Sequence, residues 1–221
     1  MQGPYRLYGG AWSRASGTNM VLEELGLDYE EVPVDVRGGG LKDPAFLEIN
    51  PAGFLPALTT PEGEHLHESA AIMLYLAERH ALGSLVPAPD DPDRGRFLSL
   101  YFFLSNDIQP PSKRFFFPHR YALRKEDIAE TRQRARAAAE ERWGVLDAML
   151  AKRGPWHLGE RFSVADIQAA MWAAYGFEEV DDIVSTFPAV RRVFEGVMAR
   201  PKSRACLLRQ RQSLADLRAG R

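Results

Sequence analysis

Apolar and polar residues alternate over short stretches in the first third of the chain and follow a helical spacing in the rest. The alternation predicts strands over residues 5–8 and 29–36. Residues 13–25, between these strands, have helical character, and Gly26 is a natural stop just past a helix. A strand, a helix and a second strand in this order predict a parallel strand pair.

Two more strands are predicted after a short helix that begins at Asp43-Pro44 and ends at Asn50-Pro51. The third strand covers residues 55–59, and a fourth covers residues 64–67. An apolar helix follows from residue 70 to residue 80. This order of elements predicts an α/β domain with a thioredoxin-like arrangement.

Helical patterns dominate the second half of the chain. They cover residues 94–107 and 125–150, with an interruption expected at Pro110-Pro111. Ser163-Val164-Ala165-Asp166 resembles a capping box and predicts the start of another helix. An amphipathic helix over residues 206–217 is the last one predicted.

A segment rich in proline and aspartate separates the two patterns. We predict a thioredoxin-like α/β domain over residues 1–82, a linker over 83–92 and an all-helical domain over 93–221. The predicted fold class is therefore α/β followed by an all-α bundle. The 221 residues are 45% hydrophobic, which is enough to bury a sizeable core.

The amino-acid composition limits the classes of partner, metal site and location that this protein is expected to have. The chain has 28 basic and 30 acidic residues, so charge gives no reason to expect a nucleic acid or an anionic membrane as partner. The single cysteine and the scattered histidines predict neither a disulfide framework nor a metal site. No signal peptide or spanning segment is recognised, so a cytoplasmic protein is expected.

Candidate chemistry lies between the third strand and the apolar helix. Pro56 lies where a strand should begin, which suits a sheet edge or a special turn. Glu68 and Ser69 place an acceptor, a hydroxyl and free backbone N–H groups at a helix start. Helix N-termini attract carboxylates, so this region is a plausible binding site for a small zwitterionic peptide.

These residues carry a resemblance to a known family, the glutathione S-transferases. The stretches concerned are Pro51-Ala52-Gly53-x-Leu55-Pro56-Ala57-Leu58, Glu68-Ser69-Ala70-Ala71-Ile72-x-x-Tyr75-Leu76, Ser13-Arg14-Ala15-Ser16 and Gly159-Glu160-Arg161-Phe162-Ser163-Val164-Ala165-Asp166. The resemblance implies a thioredoxin-like domain with a C-terminal helical bundle and a homodimer. It also implies glutathione as co-substrate with no metal or other cofactor, and a small hydrophobic electrophile as second substrate.

The resemblance also implies roles for particular residues. Ser69 and its backbone N–H would hold the γ-glutamyl carboxylate of glutathione, and Glu68 would hold its ammonium. Leu55 would pair its backbone with the cysteinyl residue, before a cis bond to Pro56. Gln109 belongs to a stretch where some bacterial relatives place polar groups that face glutathione. The alternative for Glu68 and Ser69 is a plain helix cap.

A hydrogen bond donated to the thiolate would lower the pKa of the glutathione thiol from about 8.5. The resemblance implies such a donor at the start of the first helix, where Ser13 is the favoured candidate and Ser16 the second. By the same resemblance, several classes of the family would place their catalytic residue at Trp12, which cannot donate as a hydroxyl does. The alternative is that Ser13 only caps the helix. The reaction expected is conjugation; a glutathione-dependent isomerase or dehalogenase, or a non-catalytic binding module, are the alternatives.

Overall fold

A computed structural model describes residues 3–179 and 181–220 of the chain. The fold divides into two compact units. Unit 1 falls within residues 1–86 and 198–221, and unit 2 comprises residues 87–197. In the part of the chain that is described, no helix is both long enough and apolar enough to cross a membrane.

Unit 1 is built on a four-stranded mixed sheet. Its elements are β1 (Tyr5–Tyr8), α1 (Ala15–Leu25), β2 (Tyr29–Val32), a 3-10 turn (Gly40–Lys42), α2 (Pro44–Ile49), β3 (Ala57–Thr59), β4 (His65–His67), α3 (Ser69–Ala81) and, from the end of the chain, α10 (Pro201–Ala219). The strand order is β2-β1-β3-β4. Strand β2 is parallel to β1, whereas β3 and β4 are antiparallel to their neighbours. This sheet confirms the predicted thioredoxin-like fold.

Strand β2 is shorter than the alternation predicted. Pairing with β1 stops at Val32, because Pro33 has no backbone N–H to donate to the ladder. Val34 and Val36 continue the pattern and pack against a buried cluster that includes Phe46. The alternation of apolar and polar residues beyond Val32 therefore reflects packing of the valines against that cluster, without strand pairing.

The register of the sheet places two loops side by side. Tyr8, the last residue of β1, pairs with Ala57, the first residue of β3. The turn that leaves β1 and the loop that enters β3 therefore meet at one edge of the sheet. Helices α1 and α3 pack against each other, and fully buried side chains such as Leu22 and Ile72 fix them in place.

Helix α10 packs on α1 and so belongs to unit 1 by its contacts. The buried carboxylate of Glu24 accepts hydrogen bonds from Arg200 at 2.6 and 3.1 Å and from the Ser203 hydroxyl at 2.7 Å. Burial alone would raise the pKa of Glu24, but these bonds outweigh it and hold the pKa below its usual range. The attachment is therefore complete near neutral pH and weakens as acid protonates Glu24.

Unit 2 is helical apart from isolated bridges among its described residues. Its elements are α4 (Arg94–Phe103), a π-helical segment (Leu104–Ile108), α5 (Gln109–Phe116), 3-10 segments (Pro118–Arg120 and Lys125–Asp127), α6 (Ile128–Ala151), α7 (Val164–Ala173), α8 (Asp182–Thr186) and α9 (Pro188–Met198). Pro110 and Pro111 do not interrupt a helix as predicted. The π-helical segment runs directly into α5, and both prolines lie in the first turn of α5 at this junction.

The start of α7 has the predicted capping box between Ser163 and Asp166. Asp166 is fully buried, and its carboxylate accepts from the backbone N–H and the hydroxyl of Ser163 at 2.8 and 2.9 Å. The backbone N–H of His157 donates to its other oxygen at 2.9 Å. Both carboxylate oxygens of Asp166 thus accept hydrogen bonds from residues of unit 2.

Candidate active site

Three segments of unit 1 form the candidate site: the turn before α1, the loop before β3 and the start of α3. The turn before α1 begins with two glycines. A Cβ on Gly9, which has a φ of +152°, would lie 2.7 Å from the Cβ of Ala15. A Cβ on Gly10 would lie 2.7 Å from the indole Nε1 of Trp12. Gly9 therefore requires glycine for the chain to turn sharply from β1 into α1, whereas a Cβ at Gly10 would fit only if the partly exposed Trp12 side chain moved.

Ser13 is buried in this turn and its hydroxyl is fully used there. Its Oγ donates to the carbonyl of Gly10 at 2.8 Å and accepts from the backbone N–H of Ala15 at 3.2 Å. A longer bond of 3.4 Å from the N–H of Gly10 completes the set. The structure therefore gives Ser13 a turn-forming role, and its predicted contact with a thiol stays a prediction.

The other two residues considered for the thiol lie in different environments. Ser16 lies in the first turn of α1 and is only 1% exposed, and its Oγ has no hydrogen-bond partner among the described residues. Trp12 is 36% exposed at the outer side of the turn. Ser16 is therefore part of the α1 packing, whereas Trp12 is open to solvent.

The loop before β3 is braced by Asn50, a residue that sequence analysis did not single out. Its buried side-chain amide donates to the carbonyl of Phe54 at 2.7 Å, and its side-chain oxygen accepts from the N–H of Ala52 at 3.1 Å. The Leu55–Pro56 peptide bond is cis, as predicted. The loop thus presents the Leu55 backbone in a fixed position. The asparagine before the proline-glycine turn is the sequence signal that could have identified this brace.

The start of α3 holds the next pair of predicted residues. Glu68 has a φ of 68°, a left-handed value that a residue with a Cβ rarely adopts. Such a conformation costs on the order of 1–3 kcal/mol and persists where the surroundings require it. The Glu68 side chain is exposed, while Ser69, the first residue of α3, is 2% exposed. The two residues thus lie at the positive end of the α3 dipole.

Arg14 connects the three segments, and sequence analysis gave it no role. Its Nη2 donates to the carbonyl of Leu55 at 3.1 Å, and its Nη1 lies 4.0 Å from Oε2 of Glu68. Arg14 itself is the N-cap of α1, where a positive charge is unfavourable. A cation at a helix start was the signal in the sequence that could have identified it.

Gln109, the remaining predicted residue, lies in unit 2. It is the first residue of α5 and is half-buried. Its predicted contact with glutathione stays a prediction. The aromatic residues of this part of unit 2 divide between core and surface: Tyr101 and Phe115 are buried, whereas Phe102 and Phe117 are exposed.

The comparisons with known proteins agree with this geometry. The family model described as glutathione S-transferase, N-terminal domain, matches residues 13–79. The model described as glutathione S-transferase, C-terminal domain, matches residues 104–201. The first match contains the loop before β3, the start of α3 and the turn before α1 from Ser13 onward.

Relatives extend the similarity over most of the chain. The disulfide-bond oxidoreductase YfcG of Escherichia coli is 30% identical over 86% of this chain and 88% of its own. The maleylacetoacetate isomerase of Pseudomonas aeruginosa is 30% identical over 84% of this chain and 86% of its own. A glutathione transferase from Phanerochaete chrysosporium, solved in complex with oxidized glutathione, has a TM-score of 0.82 and 26% identity, and covers 96% of this chain and 97% of its own.

The chain belongs to the glutathione S-transferase superfamily. The family predicted from the sequence is therefore confirmed, and so is a thioredoxin-like unit combined with a helical one. The relatives carry the names of different reactions, so family membership does not by itself select one.

Proposed function

We propose that this protein binds glutathione in unit 1 and transfers it to a small hydrophobic electrophile. The observation that carries the proposal is the convergence of the cis-proline loop, the Glu68–Ser69 helix start and the α1 turn on one side of the sheet. The solved relative from Phanerochaete chrysosporium, which holds oxidized glutathione, supports the choice of ligand.

The three segments match the γ-glutamyl group, the cysteinyl amide and the thiol of glutathione. The hydroxyl of Ser69 and the free N–H groups at the start of α3 suit the γ-glutamyl carboxylate. The exposed carboxylate of Glu68 suits the adjacent ammonium. The backbone of Leu55 suits the cysteinyl amide, which directs the thiol towards the α1 turn.

The reaction requires a thiolate. The thiol proton leaves to solvent, the sulfur attacks an electrophilic carbon, and a sulfur–carbon bond forms as the leaving group departs with its electron pair. Glutathione is a co-substrate in this scheme, and we propose no metal or other cofactor. The electrophile is an apolar molecule, and detoxification and a cytoplasmic location remain predictions.

Calorimetry with glutathione and an assay with chlorodinitrobenzene test the proposal. We expect saturable binding of glutathione and release of chloride only when the free thiol is present, with S-methylglutathione as a ligand that binds without reacting. Absence of glutathione binding would contradict the proposal. Binding without turnover on any electrophile would favour the non-catalytic binding module, for which Trp12 at the α1 turn is the supporting feature.

The second candidate is a glutathione-dependent isomerase. The relative named maleylacetoacetate isomerase, 30% identical to this chain, favours it. Isomerisation consumes no glutathione, whereas conjugation consumes one molecule per product. Measuring free thiol during turnover of a cis-configured dicarboxylic substrate therefore separates the two reactions.

We also propose that the protein is a homodimer, which is the commonest assembly of soluble proteins. Light scattering at micromolar concentration should return about twice the 24.8 kDa of one chain. A mass equal to a single chain would contradict this proposal.

A further inference from the structure

Arg14 has more hydrogen-bonding capacity than the candidate site uses. Its Nη2 donates to the carbonyl of Leu55 at 3.1 Å. Its Nη1 is shielded from solvent, and no hydrogen-bond acceptor reaches it within the described part of the chain. A buried N–H of a charged group without an acceptor costs free energy, so its position requires an explanation.

Helix capping does not explain it. Arg14 is the N-cap of α1, and a cation at this end opposes the helix dipole. Ser13 already supplies an acceptor for the N–H of Ala15, at 3.2 Å. The positive charge therefore does not stabilise α1. The carboxylate of Glu68, with its Oε2 4.0 Å from Nη1, is too distant to accept a hydrogen bond from it, so the place of the charge in the site suits a further anion that arrives there.

The thiol of a bound glutathione reaches the same place. A carbonyl oxygen has two lone pairs, so the oxygen of Leu55 can accept from Arg14 and from the cysteinyl N–H together. Only two carbon atoms separate the sulfur of a cysteine from its own nitrogen. A glutathione paired with Leu55 in this way brings its sulfur beside the guanidinium of Arg14.

Ser13 is poorly placed to act as the donor. A hydroxyl has one proton, and the carbonyl of Gly10 accepts the proton of Ser13 at 2.8 Å. Donation to a sulfur would break that bond and loosen the turn. A guanidinium has five N–H donors, so Arg14 can bind Leu55 and still donate to a thiolate.

We infer that Arg14 stabilises the glutathione thiolate, and that Ser13 is a positioning residue that shapes the turn. The inference rests on the proposed binding of glutathione in unit 1. Glu68 is the charged group next to Arg14, with its Oε2 4.0 Å from Nη1. When the γ-glutamyl ammonium pairs with Glu68, it reduces the attraction between Glu68 and Arg14. Binding of the glutamyl end thus directs the guanidinium towards the sulfur.

The test measures the pKa of the bound glutathione thiol from the ultraviolet absorbance of the thiolate, in the full chain. Arg14→Gln keeps an N–H donor and removes the charge, so the bound thiol pKa should rise by about one unit or more. Conjugation at neutral pH should then fall about tenfold. Arg14→Lys keeps the charge without the planar fork and should give an intermediate pKa.

Two further variants serve as comparisons. Ser13→Ala should lower the melting temperature while the bound thiol keeps the pKa of the unmodified protein. Arg6→Gln removes an exposed arginine of β1, paired with Glu30 at 3.4 Å, and should change neither the thiol pKa nor the affinity. Should Arg14→Gln fail to fold, Arg14→Lys carries the test, and its bound thiol pKa must still exceed that of the unmodified protein.

The outcomes separate this inference from the proposed function. An unchanged thiol pKa in folded Arg14 variants, or a rise caused by Ser13→Ala instead, would overturn the role of Arg14 while glutathione binding stands. Weaker binding of both glutathione and S-methylglutathione with no pKa change would identify Arg14 as a purely structural link. Failure of the unmodified protein to bind glutathione would overturn the proposed function itself.

Discussion

The starts of two helices of this protein combine a buried serine with an acidic residue, and the two helix starts differ. At α7, Asp166 is fully buried and accepts from Ser163 twice and from His157 once. At α3, Ser69 is buried but Glu68 is exposed and has a strained φ of 68°. The acid at α7 accepts hydrogen bonds within the protein, whereas the acid at α3 is exposed to solvent.

The difference separates a folding site from a binding site. Polar groups that satisfy one another inside a protein stabilise the fold and leave nothing for a ligand. An exposed acid at a strained position does little for the fold, so its retention at α3 fits a ligand that pairs with it. A serine and an acid at a helix start can therefore have two roles, which the spacing of the two residues and their surroundings distinguish.

The largest expected effect comes from removing the buried acid. Asp166→Ala leaves the backbone N–H groups of Ser163 and His157 without an acceptor, which should lower the free energy of unfolding by about 3 kcal/mol or more. Urea titration followed by circular dichroism measures it. Asp182→Ala removes a more exposed acid, whose carboxylate accepts from the backbone N–H groups of Glu178 and Glu179 at 2.8 and 3.1 Å. This variant should lower the free energy of unfolding by less than about 1 kcal/mol. An equal loss of unfolding free energy in the two variants would contradict the view that burial makes the acid at α7 more important for the fold.

A smaller effect is expected at α3, and it concerns the affinity for glutathione instead of the stability of the fold. Ser69→Ala should weaken glutathione binding by about 1–3 kcal/mol, because a charged carboxylate loses a partner, and should change unfolding little. Calorimetry measures the affinity. Ser163→Ala is the matched change at α7 and should lower stability while leaving affinity intact. If Ser69→Ala binds as well as the unmodified chain, the assignment of the γ-glutamyl carboxylate to Ser69 fails.

The smallest expected effect concerns the strained backbone. Glu68→Gly relieves the positive φ and should raise the free energy of unfolding by up to about 1 kcal/mol, because glycine adopts this conformation without a Cβ clash. The same variant should bind glutathione more weakly, since it loses the carboxylate. Glu68→Gln keeps the side chain and removes only the charge, so it separates strain from charge. If the free energy of unfolding of Glu68→Gly is lower than that of Glu68→Gln, the backbone at residue 68 is not strained as we infer.

Local patterns predicted most of the fold. Strand β1 has the predicted limits, and the motif around Pro56 gave the cis bond to Leu55. Errors arose where one local rule was outweighed by another. Alternation predicted β2 to residue 36, but Pro33 ended the ladder. The proline pair predicts a break in the helix, but Pro110 lies in the first turn of α5, a position that depends on where that helix begins.

The candidate site was predictable only in part. Glu68 and Ser69 lie next to each other in a recognisable motif, so the sequence placed them at a helix start. The bond from Arg14 to Leu55 joins residues 41 positions apart, and no local pattern contains it. The proton of Ser13 is directed at Gly10 by the turn geometry, which depends on the two glycines and not on the serine alone.

The attachment of α10 to α1 affects how the protein is made. Helix α1 leaves the ribosome before unit 2 does, yet Arg200 and Ser203, which bind Glu24, are added only after all of unit 2. During that interval the surface of α1 that α10 will cover is open to chaperones and to other nascent chains. Domains fold largely as units during synthesis, so unit 2 can finish before unit 1 does. The unit with the candidate active site therefore cannot complete the contacts of Glu24 before residue 203 has been synthesised.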